Sequence, residues 1–394
     1  MGVAQAIHIL LMLLPLSISA TDTCDTGWFG PKCQYMCHCV NNQCDASGEC
    51  VGGARCEQGW FGQACQHEDM AVLGKLITAP MINADVVMDG DDATCASNLT
   101  TIFLKWNKNY AFTWLRFKVE KENQLGELTV MFKPLLGDET VLLNHDYIPC
   151  KDQKLYSDGN GTFDVVCDVN VSVHEVMVAG DLIRHLCSLH ISGGRNVAQK
   201  QQAHLSSNLD DVKSKPEHAV DGNMDSNYHH GSCFHTLEGD TEPTLEIWFS
   251  LPVVINRFVI HNRADCCQQR LKGFHLKSVT EGDEVDIDYT DGLPYPQNMY
   301  TVLATKNRKQ ISMVSITATD HSSGLFLSLC ELQVYGESAC QPGFYGKECN
   351  LKCNCVDTTE TCFSVTGLCP YERKGLIFSG STGITGTTTL SSGH

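Results

Sequence analysis

The ten residues His261-Asn262-Arg263-Ala264-Asp265-Cys266-Cys267-Gln268-Gln269-Arg270 contain two arginines, a carboxylate between them and two adjacent cysteines. Adjacent thiols in an oxidising compartment can bond to each other. Their Cα atoms sit about 3.8 Å apart across a trans peptide, closer than the roughly 4.4–6.8 Å usual for a disulfide. A Cys266–Cys267 bond would close a small ring that locks a turn and presents a flat, apolar sulfur surface. Arg263 and Arg270 would flank that surface. A guanidinium offers five N–H donors in a rigid fork. Vicinal hydroxyls accept such donors, and the C–H face of a sugar ring suits an apolar floor. Asp265 would hold both guanidinium groups in place and offset their repulsion. A plainer reading is an ordinary surface ion pair, worth little. The cysteines could instead pair as Cys233–Cys266 and Cys267–Cys330.

The elements that must position these residues read as β-strands. Leu245, Ile247, Phe249 and Leu251 alternate with Glu246, Trp248 and Ser250, and Cys330, Leu332 and Val334 alternate with Glu331, Gln333 and Tyr335. Upstream, Leu115, Phe117 and Val119 alternate with Trp114, Arg116 and Lys118; Leu128 to Phe132 and Val173 to Val178 are further strands. Short strands at this density, with Gly/Asn/Asp clusters between them, indicate sandwiches. The two β segments look like copies of one unit. Met88-Asp89-Gly90 before Cys95 parallels Val220-Asp221-Gly222 before Cys233, and Leu186-Cys187 to Ile191 parallels Leu329-Cys330 to Val334. The parallel predicts closing bridges Cys95–Cys187 and Cys233–Cys330, with Cys150–Cys167 as an extra bridge in the first copy.

The chain has 394 residues, too many for one ordinary domain, and is 42% hydrophobic and 19% charged, which fits globular material. A net charge of −18 argues against nucleic acid or an anionic membrane surface as partner. Residues 1–20 read as a signal peptide, with an apolar core from Ile9 to Leu16 and cleavage after Ala20. No later stretch reaches the about 18 uninterrupted apolar residues of a membrane helix. The 22 cysteines fall into even local groups, and Asn98, Asn160 and Asn170 begin N-x-[ST] glycosylation sequons. Both features point to a secreted, disulfide-bonded chain. Spacings such as Cys37-x-Cys39 do not match common zinc sites.

Two resemblances follow. Cys24 to Cys33, with Trp28-Phe29-Gly, and Cys56 to Cys65, with Trp60-Phe61-Gly, repeat each other and are similar to the EGF-like repeats of laminin and scavenger-receptor type proteins. That analogy implies Cys24–Cys33, Cys37–Cys44, Cys39–Cys50 and Cys56–Cys65. Cys340 to Cys349 opens another such unit, implying Cys340–Cys349, Cys353–Cys362 and Cys355–Cys369. So few residues cannot bury an adequate core, and disulfides replace it.

The second resemblance covers about residues 195–336. Asn196-Val-Ala, Ala219-Val-Asp-Gly-Asn223, Asp225-Ser-Asn227, His230-Gly-Ser-Cys-Phe-His235, Asn262 to Arg270 and Leu329 to Gly336 resemble the F-type lectins (fucolectins) in order and content. In that family a histidine and two arginines grip the hydroxyls of fucose while a vicinal disulfide packs against the sugar. The resemblance implies carbohydrate binding by His235, Arg263, Asp265, Cys266, Cys267 and Arg270, with His230 as the alternative histidine. The pattern departs at Ile247-Trp248, which keeps one aromatic of a usual pair, and at His229, which is often aromatic. The family also holds a structural Ca²⁺, here implied for His218 and Asn223 (main chain), Asp221, Ser232, Cys330 (main chain) and Glu331; hard oxygen donors suit that ion. The plain alternative is a turn in which Asp221 caps its own backbone.

The expected architecture is all-β: two jelly-roll, galactose-binding-like sandwiches flanked by small disulfide-rich EGF-like modules. The divisions are a signal peptide at 1–20, an EGF-like module at 21–67, a degenerate sandwich at 68–193, a lectin sandwich at 194–337, a partial EGF-like module at 338–370 and a disordered tail at 371–394. The first copy lacks both the Cys-Cys pair and the R-x-D-x4-R pattern and reads as a spacer or protein contact. The leading function is a secreted lectin for fucosylated glycans. The alternative is a receptor-ectodomain or adhesion module for extracellular proteins. No nucleophile elbow or His-Glu-x-x-His motif argues for an enzyme.

Overall fold

The computed structural model describes residues 24–81, 85–120, 126–134, 147–304, 309–319, 324–356 and 361–371. The signal peptide assigned to 1–20 and the tail after residue 371 lie outside the described residues. The architecture is all-β, and no helix among the described residues is long and apolar enough to cross a membrane.

The first sandwich stacks two antiparallel five-stranded sheets. One runs Leu186–Ile191, Trp114–Val119, Thr162–Asp168, Lys151–Ser157, Cys369–Pro370; the other runs Lys75–Ala79, Thr101–Ala111, Ser172–Ala179, Thr129–Lys133, Ile148–Pro149. The period-two pattern decides which side chains meet between the sheets. Leu115, Phe117 and Val119 are buried there against Ile102, Leu104 and Val176. Trp114, on the opposite face, is only 2% exposed, because Phe61, Tyr156 and Phe363 cover it. Phe363 belongs to the C-terminal disulfide module, whose last strand extends the sheet by pairing with Tyr156 and Ser157. Covering an indole in this way removes roughly 150–250 Å² from water, an upper estimate of about 4–6 kcal/mol.

The second sandwich is built on one 18-residue strand, Thr244–His261. Its first half pairs with Gln202–Leu205 and Ile311–Thr317, and its second half with Met299–Leu303 and Glu331–Ser338. The register with Ile311–Thr317 breaks between Trp248 and Val253. Pro252 lies in that interval and has no N–H for the ladder, so the strand bends and serves both layers. Leu245, Ile247, Phe258 and Ile260 point into the core. His261 ends the strand, so residues 262–270 leave the sheet at one end of the sandwich.

The disulfide modules are clamped onto this pair. The N-terminal module is closed by Cys24–Cys33, Cys37–Cys44, Cys39–Cys50 and Cys56–Cys65, the C-terminal one by Cys340–Cys349, Cys353–Cys362 and Cys355–Cys369. Three consecutive linker residues each pair with a sandwich. His67 meets Glu337 at 3.1 Å, Glu68 meets Arg257, and Asp69 meets His190 at 2.7 Å. Lys200 of the second sandwich donates to the Cys33 carbonyl and lies 3.6 Å from the centre of the Trp28 ring, a cation–π contact. Gln34 and Tyr35 of the N-terminal module both donate to Glu348 of the C-terminal one.

Candidate functional site

The site is assembled by two bridges and a turn. Cys233–Cys330 ties the segment before Phe234 to the strand that ends the sandwich, with Cα atoms 3.7 Å apart. Phe234 and His235 pair with Leu329 and Ser328. The His235 amide donates to the buried Ser214 hydroxyl, which donates to the His235 carbonyl. His235 is therefore fixed in backbone position and only 5% exposed. Its Nδ1 lies against the Thr236 carbonyl, an acceptor only, so Nδ1 carries the proton and Nε2 keeps a lone pair. Nε2 faces Arg270 Nη1. Burial pushes the His235 pKa down. The Thr236 carbonyl opposes this, but the charges of Arg270 and Arg263 reinforce it, and the net is below the ordinary value.

Cys266 is bonded to Cys267, and Cys267 adopts the left-handed conformation with φ 62°. A short 3₁₀ turn, Gln268–Leu271, follows and carries Arg270. Arg263 grips Asp265 with both arms of its fork, Nε to Oδ1 at 3.2 Å and Nη2 to Oδ2 at 2.6 Å, and Nη2 also lies 3.1 Å from Cys266 Sγ. Burial alone would raise the Asp265 carboxyl, but the Arg263 fork and the Tyr228 amide outweigh it and hold it low. Arg270 is lowered by burial first and by the Arg263 charge second; a guanidinium stays protonated regardless. His235, Arg263, Asp265, Cys266, Cys267 and Arg270 thus form one cluster at this end of the sandwich, in which Asp265 grips Arg263 while Arg270 turns to His235 rather than to the carboxylate expected to hold both arginines. His230 does not join them: it is 61% exposed and bonded to Asp225 at 2.7 Å.

Two aromatic residues at the site were not singled out from the sequence. Tyr228 lies under the Arg263 guanidinium at 4.5 Å and Phe326 under that of Arg270 at 4.7 Å, and both rings flank His235. Trp248, the aromatic that the sequence pattern retains, lies mid-strand, 44% exposed, with its indole donating to Glu246. Asn262 is a further support: its Oδ1 accepts from the Arg263 amide, and its Nδ2 donates to the Gln268 and Gln297 carbonyls.

On the side of the Asp221 turn, Glu331 is fully buried, one carboxylate oxygen taking the Gly222 amide at 3.3 Å and Oε1 having no partner. Burial first and the Asp221 charge second push its pKa well above the usual range, and burial raises Asp221 too. Asp221 also accepts from the Asn223 amide. His218 and Cys330 sit beside this turn, His218 through Nδ1 on the Cys233 carbonyl and Cys330 through its amide on the His261 carbonyl. The Ser232 hydroxyl donates to the Asp225 and Asn227 carbonyls. A fully buried carboxylate with an orphaned oxygen beside a half-buried one forms a donor set that fits a hard cation. Elsewhere, the sulfurs of Cys39, Cys50 and Cys65 lie within 4.8 Å of one another, but each is spent in a disulfide and leaves no thiolate for a metal.

Residues 218–323 match the model of a NedA-like, galactose-binding domain. The second sandwich is a galactose-binding-like domain with fucolectin relatives. Fucolectin-4 of Anguilla japonica is 40% identical over 95 residues, which cover 23% of this chain and 52% of that protein. A pentraxin fusion protein of Xenopus laevis is 28% identical over 146 residues, covering 37% of this chain and 34% of that one. This chain therefore spans about half of the first and a third of the second. Among solved structures, a Streptococcus pneumoniae fucose-binding module aligns at 29% identity and a TM-score of 0.32, covering 36% of this chain and 96% of the module.

Proposed function

We propose that this protein is an extracellular lectin whose second sandwich binds terminal fucose. The observation that carries the reading is the convergence of His235, Arg263 and Arg270 beside the Cys266–Cys267 plate. In this reading the two guanidinium groups donate to ring hydroxyls, and His235 Nε2 exchanges its contact with Arg270 for a sugar O–H. Each charge-assisted bond is worth about 1.5–3 kcal/mol. The disulfide plate takes the C–H face of the ring, and the Tyr228 and Phe326 rings offer apolar surface for the methyl group that distinguishes a 6-deoxy sugar. Asp265 holds Arg263 in register, so that little rotamer entropy is lost on binding.

The cation reading follows from the Glu331 pocket. Asp221 and Glu331 would hold Ca²⁺ with the Ser232 hydroxyl and the main-chain oxygens of His218, Asn223 and Cys330. A bound cation supplies positive charge between the buried Glu331 and the half-buried Asp221 and so braces the loop that leads to His235.

A glycan array probed with the full chain tests the proposal. Signals confined to fucosylated glycans are expected; an array with none would overturn it and favour the second reading, an ectodomain module that binds proteins. That second reading has one observation of its own. The first sandwich carries Asn98, Asn160 and Asn170 exposed on its surface, as glycosylation requires, while its sheet is occupied by the C-terminal module.

A further inference from the structure

A loop that no part of the sugar grip uses is built onto its wall. Residues 291–298 connect the strands Val285–Thr290 and Met299–Leu303. Asn262 joins this loop to the grip: its amide donates to the Asn298 carbonyl, and its Nδ2 bridges the Gln268 and Gln297 carbonyls. Gln268, next to Cys267, donates to Asn298 Oδ1 at 2.7 Å. The loop therefore moves with the disulfide turn or not at all.

Its tip is Leu293-Pro294-Tyr295-Pro296, with Tyr295 74% exposed. A single exposed apolar residue is ordinary and needs no account. This one differs in two respects. Pro294 fixes its own φ, and Pro296 excludes Tyr295 from the helical region. Gln297 adds its own bonds, donating from its amide to the Tyr300 hydroxyl and from its side chain to the Tyr295 carbonyl. The ring is thus held out on a rigid support. Tyr295 is also only three residues from Asn298, a span of at most about 11 Å, and Asn298 is bonded to Gln268 beside the disulfide.

We propose that Tyr295 forms a second subsite, an aromatic platform for the sugar linked to the terminal fucose. This rests on the fucose reading and extends it. The preferred ligand is then an oligosaccharide that leaves the pocket over the disulfide side, its second ring laying a C–H face on the tyrosine. A rigid aromatic loses little conformational freedom on binding, which is why such side chains suit recognition surfaces.

Calorimetric titration of the full chain with free L-fucose and with a fucosyl-lactose trisaccharide tests the inference. The parent protein is expected to bind the trisaccharide about tenfold more tightly, equivalent to about 1.4 kcal/mol. Tyr295→Ala should remove that advantage while leaving the affinity for L-fucose unchanged, and Tyr295→Phe should restore it. Equal loss for both ligands, or no loss for either, would overturn the subsite and leave the fucose reading standing. Absence of binding to both ligands by the parent protein would overturn both.

Discussion

The two sandwiches each fork an arginine onto a carboxylate, but at different places in the fold. In the first, Arg116 stands mid-strand and is locked by both arms onto Asp164, which is fully buried, and Thr366 of the C-terminal module donates to the same carboxylate. In the second, Arg263 follows the buried Asn262 just beyond the strand end, and its fork grips Asp265 beside the Cys266–Cys267 bond. Both guanidinium groups are held by a carboxylate, and Arg263 is the more buried, its side chain 5% exposed against 20% for Arg116; what differs is that one stands within a sheet and the other on a loop at the end of the sandwich. The bridge at the root of each sandwich is alike, with Cα atoms 3.8 Å apart for Cys95–Cys187 and 3.7 Å for Cys233–Cys330. What separates them is the turn that follows the strand and what covers the sheet.

That contrast breaks most sharply at the arginines. Arg263→Ala should weaken fucose binding at least about a hundredfold, since two charge-assisted bonds are lost, with some loss of stability as well, because Arg263 is itself buried and its removal unpairs Asp265. Arg116→Ala should act on stability alone, leaving retention on a fucose column unaltered while destabilising the first sandwich by about 3 kcal/mol, because a buried carboxylate loses its partner. If Arg116→Ala lost the sugar, the assignment of binding to the second sandwich would fail.

The disulfides give the next largest effect. Replacing Cys266 and Cys267 together with serine should cost about tenfold in affinity through loss of the plate and of the turn that aims Arg270. Replacing Cys150 and Cys167, which close a loop with a sequence separation of 17, should cost about 3 kcal/mol of stability on the chain-entropy argument and no affinity. Denaturant melts and sugar titrations on both variants separate the two roles.

The strand faces were legible in the sequence because burial in a sheet has period two, and Leu115, Phe117, Leu245 and Ile247 needed nothing beyond that. Trp114 defeated the same rule: its outward face is covered by Phe363, nearly 250 positions later, and no local pattern signals a module that folds back. The site divides similarly. Residues 263–270 could be read together because they sit within one turn. Tyr228 and Phe326 could not, since each reaches its arginine only through loop packing across the sandwich end. Asn262 looked like an ordinary polar residue, and its role as a pin depends on where the Gln297 carbonyl falls.

A smaller effect concerns the cation turn. Chelator should lower the thermal stability of the second sandwich by a few degrees, of the order that about 1 kcal/mol produces in a domain this size, and leave the first unchanged. Glu331 titrates above the usual carboxylate range in the folded chain. The folded state therefore holds a proton that the unfolded state has released, so the chelated protein gains relative stability as pH falls and the chelator effect shrinks in acid. Hydrogen exchange around residues 218–232, with and without Ca²⁺, reads this directly; equal protection in both conditions would remove the cation from the account.

The smallest expected effect is the acid limb of binding. With its pKa held below the ordinary value, His235 stays neutral at physiological pH and keeps its Nε2 acceptor. Affinity should be flat above about pH 6.5 and fall below it as the imidazole takes a proton and faces two guanidinium charges. A fall beginning well above pH 7 would mean that another group controls the site.

The most direct test is the stoichiometry of L-fucose binding to the full chain by calorimetric titration, with Arg263→Ala measured alongside. One site per chain, absent from Arg263→Ala, is the expected result. Two sites per chain, or one that survives the substitution, would contradict the assignment of sugar binding to the Arg263–Arg270 turn of the second sandwich.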